Sequence, residues 1–197
     1  VEVPAIVSRL GNIHLKGFVS GTALDHVRTS NHLTCDAADM ETEMTLDKQR
    51  QFHGLLKASA INLRQLTDDE RFGHLTADMK LDGQLQKPLT VNASGQVSQF
   101  DYNGYQYQNI DINGSYSNGD IAGQLTIDDP NARLALEGSM KRQAKGFHVR
   151  IASQIDRLCP KTAQLSDQWG DAVFSGLLTA DVSGNSLSNA IGTLDIA

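Results

Sequence analysis

The chain has 197 residues, of which 40% are hydrophobic and 20% are charged, and its formal net charge is −6. These proportions are typical of a folded protein and exclude a disordered segment. Nucleic acid and anionic lipid headgroups both require clustered lysine and arginine, which the sequence lacks, so we expect neither as a partner.

The length is compatible with a single segment over residues 1–197. No apolar run approaches the roughly 18 residues that a membrane helix needs. The sequence begins at Val1 rather than at a methionine, and it closes on the strand-like stretch Gly192 to Ile196. We therefore expect a fragment of a longer protein, in which any membrane anchor lies elsewhere.

The first predicted elements are a strand, Phe52 to Ile61, and a short helix, Asn62 to Glu70. The helix is predicted because the residues of this stretch no longer alternate and instead have helical spacing. Because the helix follows the strand directly, we expect it to fold back across one face of the sheet.

Apolar and polar residues alternate through most of the stretch from Gly73 to Met140. Since successive side chains of a strand point to opposite faces, this pattern predicts a sheet with one apolar and one polar face. The alternating apolar positions, with two more from the next predicted strand, are Leu75, Met79, Leu81, Leu89, Val91, Ile110, Ile112, Ile121, Leu125, Ile127, Leu134, Leu136, Met140, Val149 and Ile151.

The connections within this stretch have the composition of tight turns. Asn103-Gly104 and Asn118-Gly119 each stand between strand-like flanks, and Asn-Gly is the preferred pair in two-residue type I′ hairpins. Residues 128–131 include Pro130 and form a further turn signal. Strands from about 89 to 140 are therefore predicted to form a consecutive antiparallel meander.

A second strand and helix are predicted near the end of the chain. Residues 147–155 have strand character, and Pro160 followed by residues 162–169 suits a short helix with proline near its start. The order of strand, helix and strand thus occurs twice, and Leu75 to Asp78 recurs as Leu178 to Asp181. We interpret these features as weak repeats at about 52–146 and 147–197 of a sheet grown by modules.

The spacing of five residues is similar to that of a calcium-binding loop; they are Asn109, Asp111, Asn113, Gly114 and Asp120. Such a loop has oxygen ligands at its first, third, fifth and twelfth positions and glycine at its sixth. The imitation is imperfect, because the twelfth residue is not glutamate and neither flank is helical. A strand whose polar residues face water is the favoured interpretation.

Other metal or catalytic sites are not indicated. The six histidines form no HExxH pair and none is directly adjacent to either cysteine, Cys35 or Cys159, so we expect no metal and no cofactor. The cysteines are interpreted as small buried hydrophobic residues, with a single disulfide as the alternative. The carboxylates are scattered over turns and the polar face, and we expect no enzymatic activity.

An aromatic run brackets the first Asn-Gly turn. Its members are Phe100, Tyr102, Tyr105 and Tyr107. Packing across strands is the common use of such residues, and stacking on a sugar or a base is the alternative.

The stretch Gly54 to Met140 resembles the TamB branch of the AsmA-like envelope proteins, in the form found in Bacteroidetes-type bacteria. The segments that carry the resemblance are Ala58 to Leu66, Phe72 to Gly83, Phe100 to Gly114 and Gly123 to Gly138, in that order, and Ile155 to Gly184 fits more loosely. The resemblance implies an all-β fold, an elongated and curved antiparallel sheet (a β-taco, or repeating β-groove) with one or two short capping helices.

The same resemblance implies a location and a role. Proteins of this family are anchored in the inner membrane and cross the periplasm, and they are implicated in moving phospholipid toward the outer membrane. They are also implicated in assembling outer-membrane proteins with a β-barrel partner. The family offers no catalytic residues, so the expected ligand is a phospholipid acyl chain and the candidate binding residues are the alternating apolar positions given above.

A surface module that binds glycan or protein is the competing hypothesis. Such a β-sandwich or β-solenoid would have two sheets about 10 Å apart over a sealed core, with its binding site in loops such as the one at Asn103. A carbohydrate-active enzyme with two facing carboxylates is a third possibility.

Overall fold

The computed structural model describes residues 9–22, 25–143, 146–185, 189 and 191–197, and Val1 lies outside these ranges. The described residues form a single open antiparallel sheet of 13 strands, and 72% of them are in strands. This result confirms the prediction of an all-β, curved antiparallel sheet.

Most elements follow one another with short connections, whereas β11 and β12 are separated by residues 159–173. In chain order they are β1 (His14–Thr22), β2 (Asp25–Cys35), β3 (Ala38–Leu46), β4 (Gln51–Asn62), α1 (Leu63–Thr67), β5 (Phe72–Gln84), β6 (Thr90–Tyr102), β7 (Tyr105–Tyr107), β8 (Ile110–Ser117), β9 (Asp120–Asp129), β10 (Ala132–Gln143), β11 (Gly146–Leu158), β12 (Phe174–Gly184) and β13 (Ile191–Ile196).

Strand order in space follows strand order in the chain, so the predicted meander is confirmed and extends across the whole sheet. One irregularity lies at β6, whose first part pairs with β8 and whose last three residues pair with β7. Between β7 and β8 the extended conformation is interrupted at Asn109, which has a φ of 54°. Both Asn-Gly turns have positive φ at each central residue, as type I′ turns require.

The first predicted helix is confirmed but is shorter than expected. The Asn62 side chain accepts a hydrogen bond of 3.1 Å from the backbone N–H of Gln65, which caps the start of α1. The helix ends at Asp68, where φ is 63°. A left-handed residue cannot continue a helix, so the predicted extension to Glu70 is absent.

The second predicted helix is wrong. Residues 160–171 form successive turns, in which the N–H of Ala163 donates to the carbonyl of Cys159 and that of Leu165 to the carbonyl of Pro160. Gln164 has a φ of 54°, which breaks any helical progression. We call the whole connection between β11 and β12, residues 159–173, the cap segment.

Candidate functional site

The pairing registers align the apolar positions of successive strands into four ladders that cross the sheet. Each ladder consists of residues that stand opposite one another in neighbouring strands, and all four project to the same face because they are two residues apart along each strand. We call this face the apolar face and the opposite one the polar face.

The ladders are defined by the following residues. Ladder 1 is Leu15, Leu33, Met40, Ala58, Ala77, Val97, Ile110, Ile127, Leu134 and Ile155. Ladder 2 is Gly17, Asn31, Thr42, Leu56, Met79, Gly95, Ile112, Leu125, Leu136, Ser153, Leu178 and Ile196. Ladder 3 is Val19, Thr29, Met44, Gly54, Leu81, Ala93, Gly114, Gly123, Gly138, Ile151, Ala180 and Leu194. Ladder 4 is Val27, Leu46, Phe52, Gly83, Val91, Tyr116, Ile121, Met140, Val149, Val182 and Gly192.

All but two of the apolar positions chosen from the sequence lie on these ladders. Leu75 lies beyond ladder 1, where bulges in β4 and β6 bring it opposite Ile61 and Phe100. Leu89 precedes the first residue of β6 and is 39% exposed. The alternation therefore identified residues that share one face of the sheet. It misplaced only Leu89, which lies in the connection before β6.

An aromatic cluster covers the apolar face beyond ladder 1. Its members are Phe72, Phe100, Tyr102, Tyr105 and Tyr107. The rings of Tyr105 and Tyr107 are 4.7 Å apart and edge to face, and those of Phe72 and Tyr102 are 5.3 Å apart. This geometry is the cross-strand packing expected for the aromatic run.

The cap segment lies against the aromatic cluster and is held there by hydrogen bonds. The Tyr107 hydroxyl donates to the carbonyl of Ala163 at 2.7 Å, and the Asn103 side chain donates to the carbonyl of Gln164 at 3.0 Å. Ala163 is 0% exposed and packs in the same cluster as Ala132, which is 1% exposed. The small side chains permit this close approach.

Burial raises the pKa of two tyrosine hydroxyls near the cap segment. It raises the pKa of Tyr107 to about 12. Burial, followed by a hydrogen bond to Asp129, also raises the pKa of Tyr105. Both hydroxyls therefore remain neutral donors at physiological pH, as their hydrogen bonds require.

A buried carboxylate, that of Asp129, lies beside the aromatic cluster. Oδ1 of Asp129 accepts hydrogen bonds from the Tyr105 hydroxyl at 2.5 Å and from the Asn131 backbone at 2.9 Å, while Oδ2 is buried without a partner among the described residues. Asp129 is 0% exposed although it is the last residue of β9, next to a turn. Sequence reasoning placed its carboxylate with the exposed ones, because no pattern in the sequence shows that Tyr105 lies above it.

Coverage of the apolar face is high near the cap and uneven elsewhere. On ladder 1, Ile110 and Val97 are each 4% exposed. On ladder 4, Ile121 is 47% exposed. On ladders 2 to 4 most apolar side chains are half-buried, although Phe52 on ladder 4 is only 8% exposed, so part of their hydrocarbon remains in contact with water.

The polar face has shallow troughs between rows of hydrophilic side chains. The clearest has a volume of about 500 Å³ and crosses five strands between two such rows. Its hydrophilic lining consists of Lys57, Asp78, Lys80, Ser94, Gln96, Asp111, Asn113, Gln124 and Thr126. Farther along the sheet, Asp181 accepts hydrogen bonds from His148 at 2.6 Å and from Arg150 at 3.0 Å. These two bonds, that from His148 first, lower the pKa of Asp181.

The residues that imitate a calcium loop do not form one. Asp111 and Asn113 lie two residues apart on the polar face of β8, and Asp120 accepts a hydrogen bond from the backbone of Arg142. Within the part of the chain that the structure describes, no group of three or more metal-binding side chains comes together. Both cysteines are free thiols, with Cys159 buried and Cys35 half-buried.

Comparisons with known proteins assign this chain to no family. No family model, no curated protein and no solved structure matches the chain. No helix among the described residues is both long enough and apolar enough to cross a bilayer. The resemblance to the TamB branch therefore stays a prediction.

Proposed function

We propose that this chain is a non-enzymatic segment of a periplasmic envelope protein whose apolar face carries phospholipid acyl chains toward the outer membrane. The observation that carries the proposal is the continuity of the ladders, none of which contains a charged residue: ladders 2 and 3 run from β1 to β13, ladder 1 from β1 to β11 and ladder 4 from β2 to β13. The resemblance of Gly54 to Met140 to the TamB branch supplies the class of protein and its location. A role in assembling outer-membrane proteins with a β-barrel partner belongs to the same proposal.

The energetics of the open ladders support an occupant. Covering apolar surface stabilises by about 25 cal/mol per Å², or roughly 1.5–3 kcal/mol for a fully buried aliphatic side chain. An isolated exposed residue on a surface is ordinary, whereas an extended apolar patch indicates a binding surface. An acyl chain satisfies such a surface because it needs no hydrogen bonds and no fixed register.

Site-specific photo-crosslinking tests the proposal with adjacent residues as matched controls. Leu125 lies on ladder 2, and its neighbours Gln124 and Thr126 lie on the polar face of the same strand. With a photoreactive amino acid at each position in cells, we expect phospholipid adducts at 125 and background levels at 124 and 126. A further probe at Ile110, which is covered, is expected to give fewer adducts than the one at 125.

Equal adduct levels at the three neighbouring positions would argue against the proposal, because lipid would then show no preference for the apolar face. The same variants are first compared with the unmodified chain by circular dichroism, so that a loss of adducts is not a loss of the sheet.

A polar ligand on the opposite face is the second candidate function. The trough lined by Lys57, Asp78 and Asp111 offers both donors and acceptors, as a glycan or a peptide requires. The β-sandwich form of this hypothesis is less well supported, since the described residues form one sheet. Titration with soluble oligosaccharides against a Lys57→Ala, Asp111→Ala double variant tests it, and equal heats for both proteins would argue against it.

A further inference from the structure

One end of the strands is rich in lysine and arginine. Four hairpins, β3–β4, β5–β6, β8–β9 and β10–β11, turn beyond ladder 4 at this end, and we call their described residues there the basic rim. The basic rim comprises residues 47–51, 84–90, 117–120, 141–143 and 146–148. With histidine neutral, it contains five cations and two carboxylates, a net charge of +3 in a chain of net charge −6. The cations are Lys48, Arg50, Lys87, Lys141 and Arg142, and the carboxylates are Asp47 and Asp120.

Hydrogen bonds between neighbouring turns hold the basic rim together. The carbonyl of Arg50 accepts a bond of 2.9 Å from the N–H of Leu85, and the carbonyl of Leu89 accepts one of 3.2 Å from the N–H of Asn118. The sequence shows no cluster of basic residues, because these turns come together only in the folded sheet. Since all four hairpins are internal, the basic rim does not depend on where the sequence begins or ends.

The two carboxylates of the basic rim bond to backbone groups. Oδ1 of Asp47 accepts a bond of 2.8 Å from the N–H of Gln51, and Oδ1 of Asp120 accepts one of 2.9 Å from the N–H of Arg142. The second bond also joins the β8–β9 turn to the β10–β11 hairpin. The side chains of Lys87, Lys141 and Arg142 are exposed and form no ion pair with any described residue. Their charges are therefore available to an anionic ligand.

The opposite end of the strands differs in its charge and in its ion pairs. The residues beyond ladder 1 include eleven carboxylates and five lysine or arginine side chains, counted over 34–39, 59–76, 98–109, 128–133 and 156–175. Arg71 pairs with Asp69 at 2.6 Å, and Lys161 pairs with Asp171 at 2.9 Å. The cap segment covers the apolar face at this acidic end. An anion on the apolar face is therefore attracted to the other end.

Exposed hydrocarbon lies beside the basic rim. Leu85 and Leu89, within the rim, are 54% and 39% exposed, and Tyr116 and Ile121 on ladder 4 are 37% and 47% exposed. Lysine and arginine bind phosphate through charge-assisted hydrogen bonds. A ligand that joins a phosphate to hydrocarbon contacts both kinds of surface at once, whereas inorganic phosphate or a nucleic acid contacts only the cations.

We propose that the basic rim binds the phosphate of a phospholipid whose acyl chains extend from ladder 4 toward the cap segment. This inference rests on the proposed function and adds the site of the headgroup and the direction of the chains. Ile121 on ladder 4 and Ile127 on ladder 1 are six residues apart in β9, a distance of about 20 Å along the strand. The chains lie along the strands, and their methyl ends point toward the cap segment.

Calorimetric titration of the 197-residue chain with two short-chain lipids, below their micelle concentrations, tests the role of the phosphate. Dioctanoyl-phosphatidylglycerol has a phosphate, and dioctanoylglycerol has the same chains without one. The double variant Lys87→Gln, Arg142→Gln should weaken binding of the first lipid about five- to twentyfold and of the second less than about twofold. Inorganic phosphate alone should give no measurable heat, because it makes no apolar contact.

A matched control removes two cations elsewhere. Lys16 and Arg133 lie on the polar face, outside the basic rim. The double variant Lys16→Gln, Arg133→Gln loses the same charge and should bind both lipids as the parent chain does. Circular dichroism of the two double variants checks that each retains the sheet.

Several results would overturn the role of the basic rim. Equal weakening by the two double variants would show that only net charge matters, and equal weakening of the two lipids by the rim variant would show that the phosphate is not recognised. Unchanged binding to the rim variant, or inorganic phosphate that binds as tightly as the lipid, would also overturn it. The proposed function would survive each of these results if dioctanoylglycerol binds. If neither lipid binds the parent chain, both proposals are overturned.

Two spin-labelled short-chain phosphatidylcholines test the direction of the chains. A nitroxide on the headgroup should broaden the backbone amide NMR signal of Gly119, in the basic rim, more than that of Ile127, on ladder 1. A nitroxide at the end of an acyl chain should broaden the signal of Ile127 more. The reverse order, or equal broadening of both signals by each lipid, would overturn the proposed direction.

Discussion

The hydroxyl of Tyr107 and the backbone carbonyl of Ala163 form a hydrogen bond of 2.7 Å between groups 56 residues apart in the chain. This bond joins β7 to the cap segment, two parts of the chain that are far apart in strand order. It therefore fixes where the apolar face is covered by protein and where it is left open.

Removing the Tyr107 hydroxyl is expected to destabilise the cap. Tyr107→Phe keeps the ring within the aromatic cluster but leaves the buried carbonyl of Ala163 without a donor. An unpaired buried polar group costs about 1–3 kcal/mol. Urea unfolding should show a loss of that size, and Tyr116→Phe, at a ring that is 37% exposed, should cost less than about 0.5 kcal/mol. Equal losses for the two variants would contradict the role of the bond.

The raised pKa of Tyr107 predicts a loss of stability in alkali. The unfolded chain ionises this tyrosine near its ordinary pKa of about 10, whereas the folded chain holds it neutral to about 12. The stabilisation is thus complete below pH 10 and is lost as the pH rises toward 12. One proton corresponds to about 1.4 kcal/mol per pH unit. Between pH 10 and 12, urea midpoints of Tyr107→Phe should therefore fall less steeply than those of the parent chain.

The sequence was sufficient to predict the all-β fold and most of the sheet from β4 onward, because strand alternation and turn chemistry are local, whereas β1 to β3 were not predicted. The positive φ values of Asn103 and Asn118 follow from the Asn-Gly pairs themselves. Residues 89–140 needed only these short-range rules, since each strand pairs with its neighbour in the chain apart from β7. The common apolar face followed from the same alternation, whereas the pairing registers that align its residues into ladders were not predicted.

The cap could not be predicted from the sequence, because it depends on contacts between distant residues. Gln164 has a left-handed conformation that glutamine rarely adopts, and the bond from Asn103 to its carbonyl is what stabilises the turn. The burial of Asp129 likewise depends on Tyr105. Bulges also alter the phase of the proposed repeat. In the sequence, Ala58 to Ile61 corresponds to Ala152 to Ile155, yet Ala58 lies on ladder 1 whereas Ala152 lies on the polar face.

Two isoleucines are expected to differ in their contribution to stability. Ile110 is 4% exposed below the cap, and Ile121 is 47% exposed on ladder 4. Ile110→Ala should lower the free energy of unfolding by about 2–5 kcal/mol, because it leaves a cavity. Ile121→Ala should cost less than about 1 kcal/mol, since water can occupy the space. Equal costs in a denaturant titration without lipid would show that the face is covered uniformly.

The carboxylate of Asp181 is expected to titrate below the ordinary value of 3.8. Its depressed pKa comes from hydrogen bonds, that from His148 first and that from Arg150 second. The stability that the pair contributes is present above the unfolded pKa and is lost as the pH falls through the folded one. Carboxyl carbon NMR should show the pKa of Asp181 moving up toward 3.8 in His148→Ala, with a smaller move in Arg150→Ala. A pKa that neither variant changes would contradict this assignment.

The four methionines report occupancy of the apolar face without any substitution. Met40, Met44, Met79 and Met140 lie on ladders 1, 3, 2 and 4, and all are half-buried. Hydrogen peroxide converts an accessible methionine to its sulfoxide, and an acyl chain over the sulfur would slow that reaction. In the presence of dioctanoyl-phosphatidylcholine, we expect mass spectrometry to show at least a severalfold slower oxidation of Met44 and Met140, which lie on the ladders farthest from the cap. Free N-acetylmethionine in the same tube should oxidise at its usual rate, which shows that the lipid does not consume peroxide. If Met44 and Met140 oxidise as fast with the lipid as without it, acyl chains do not cover the open ladders.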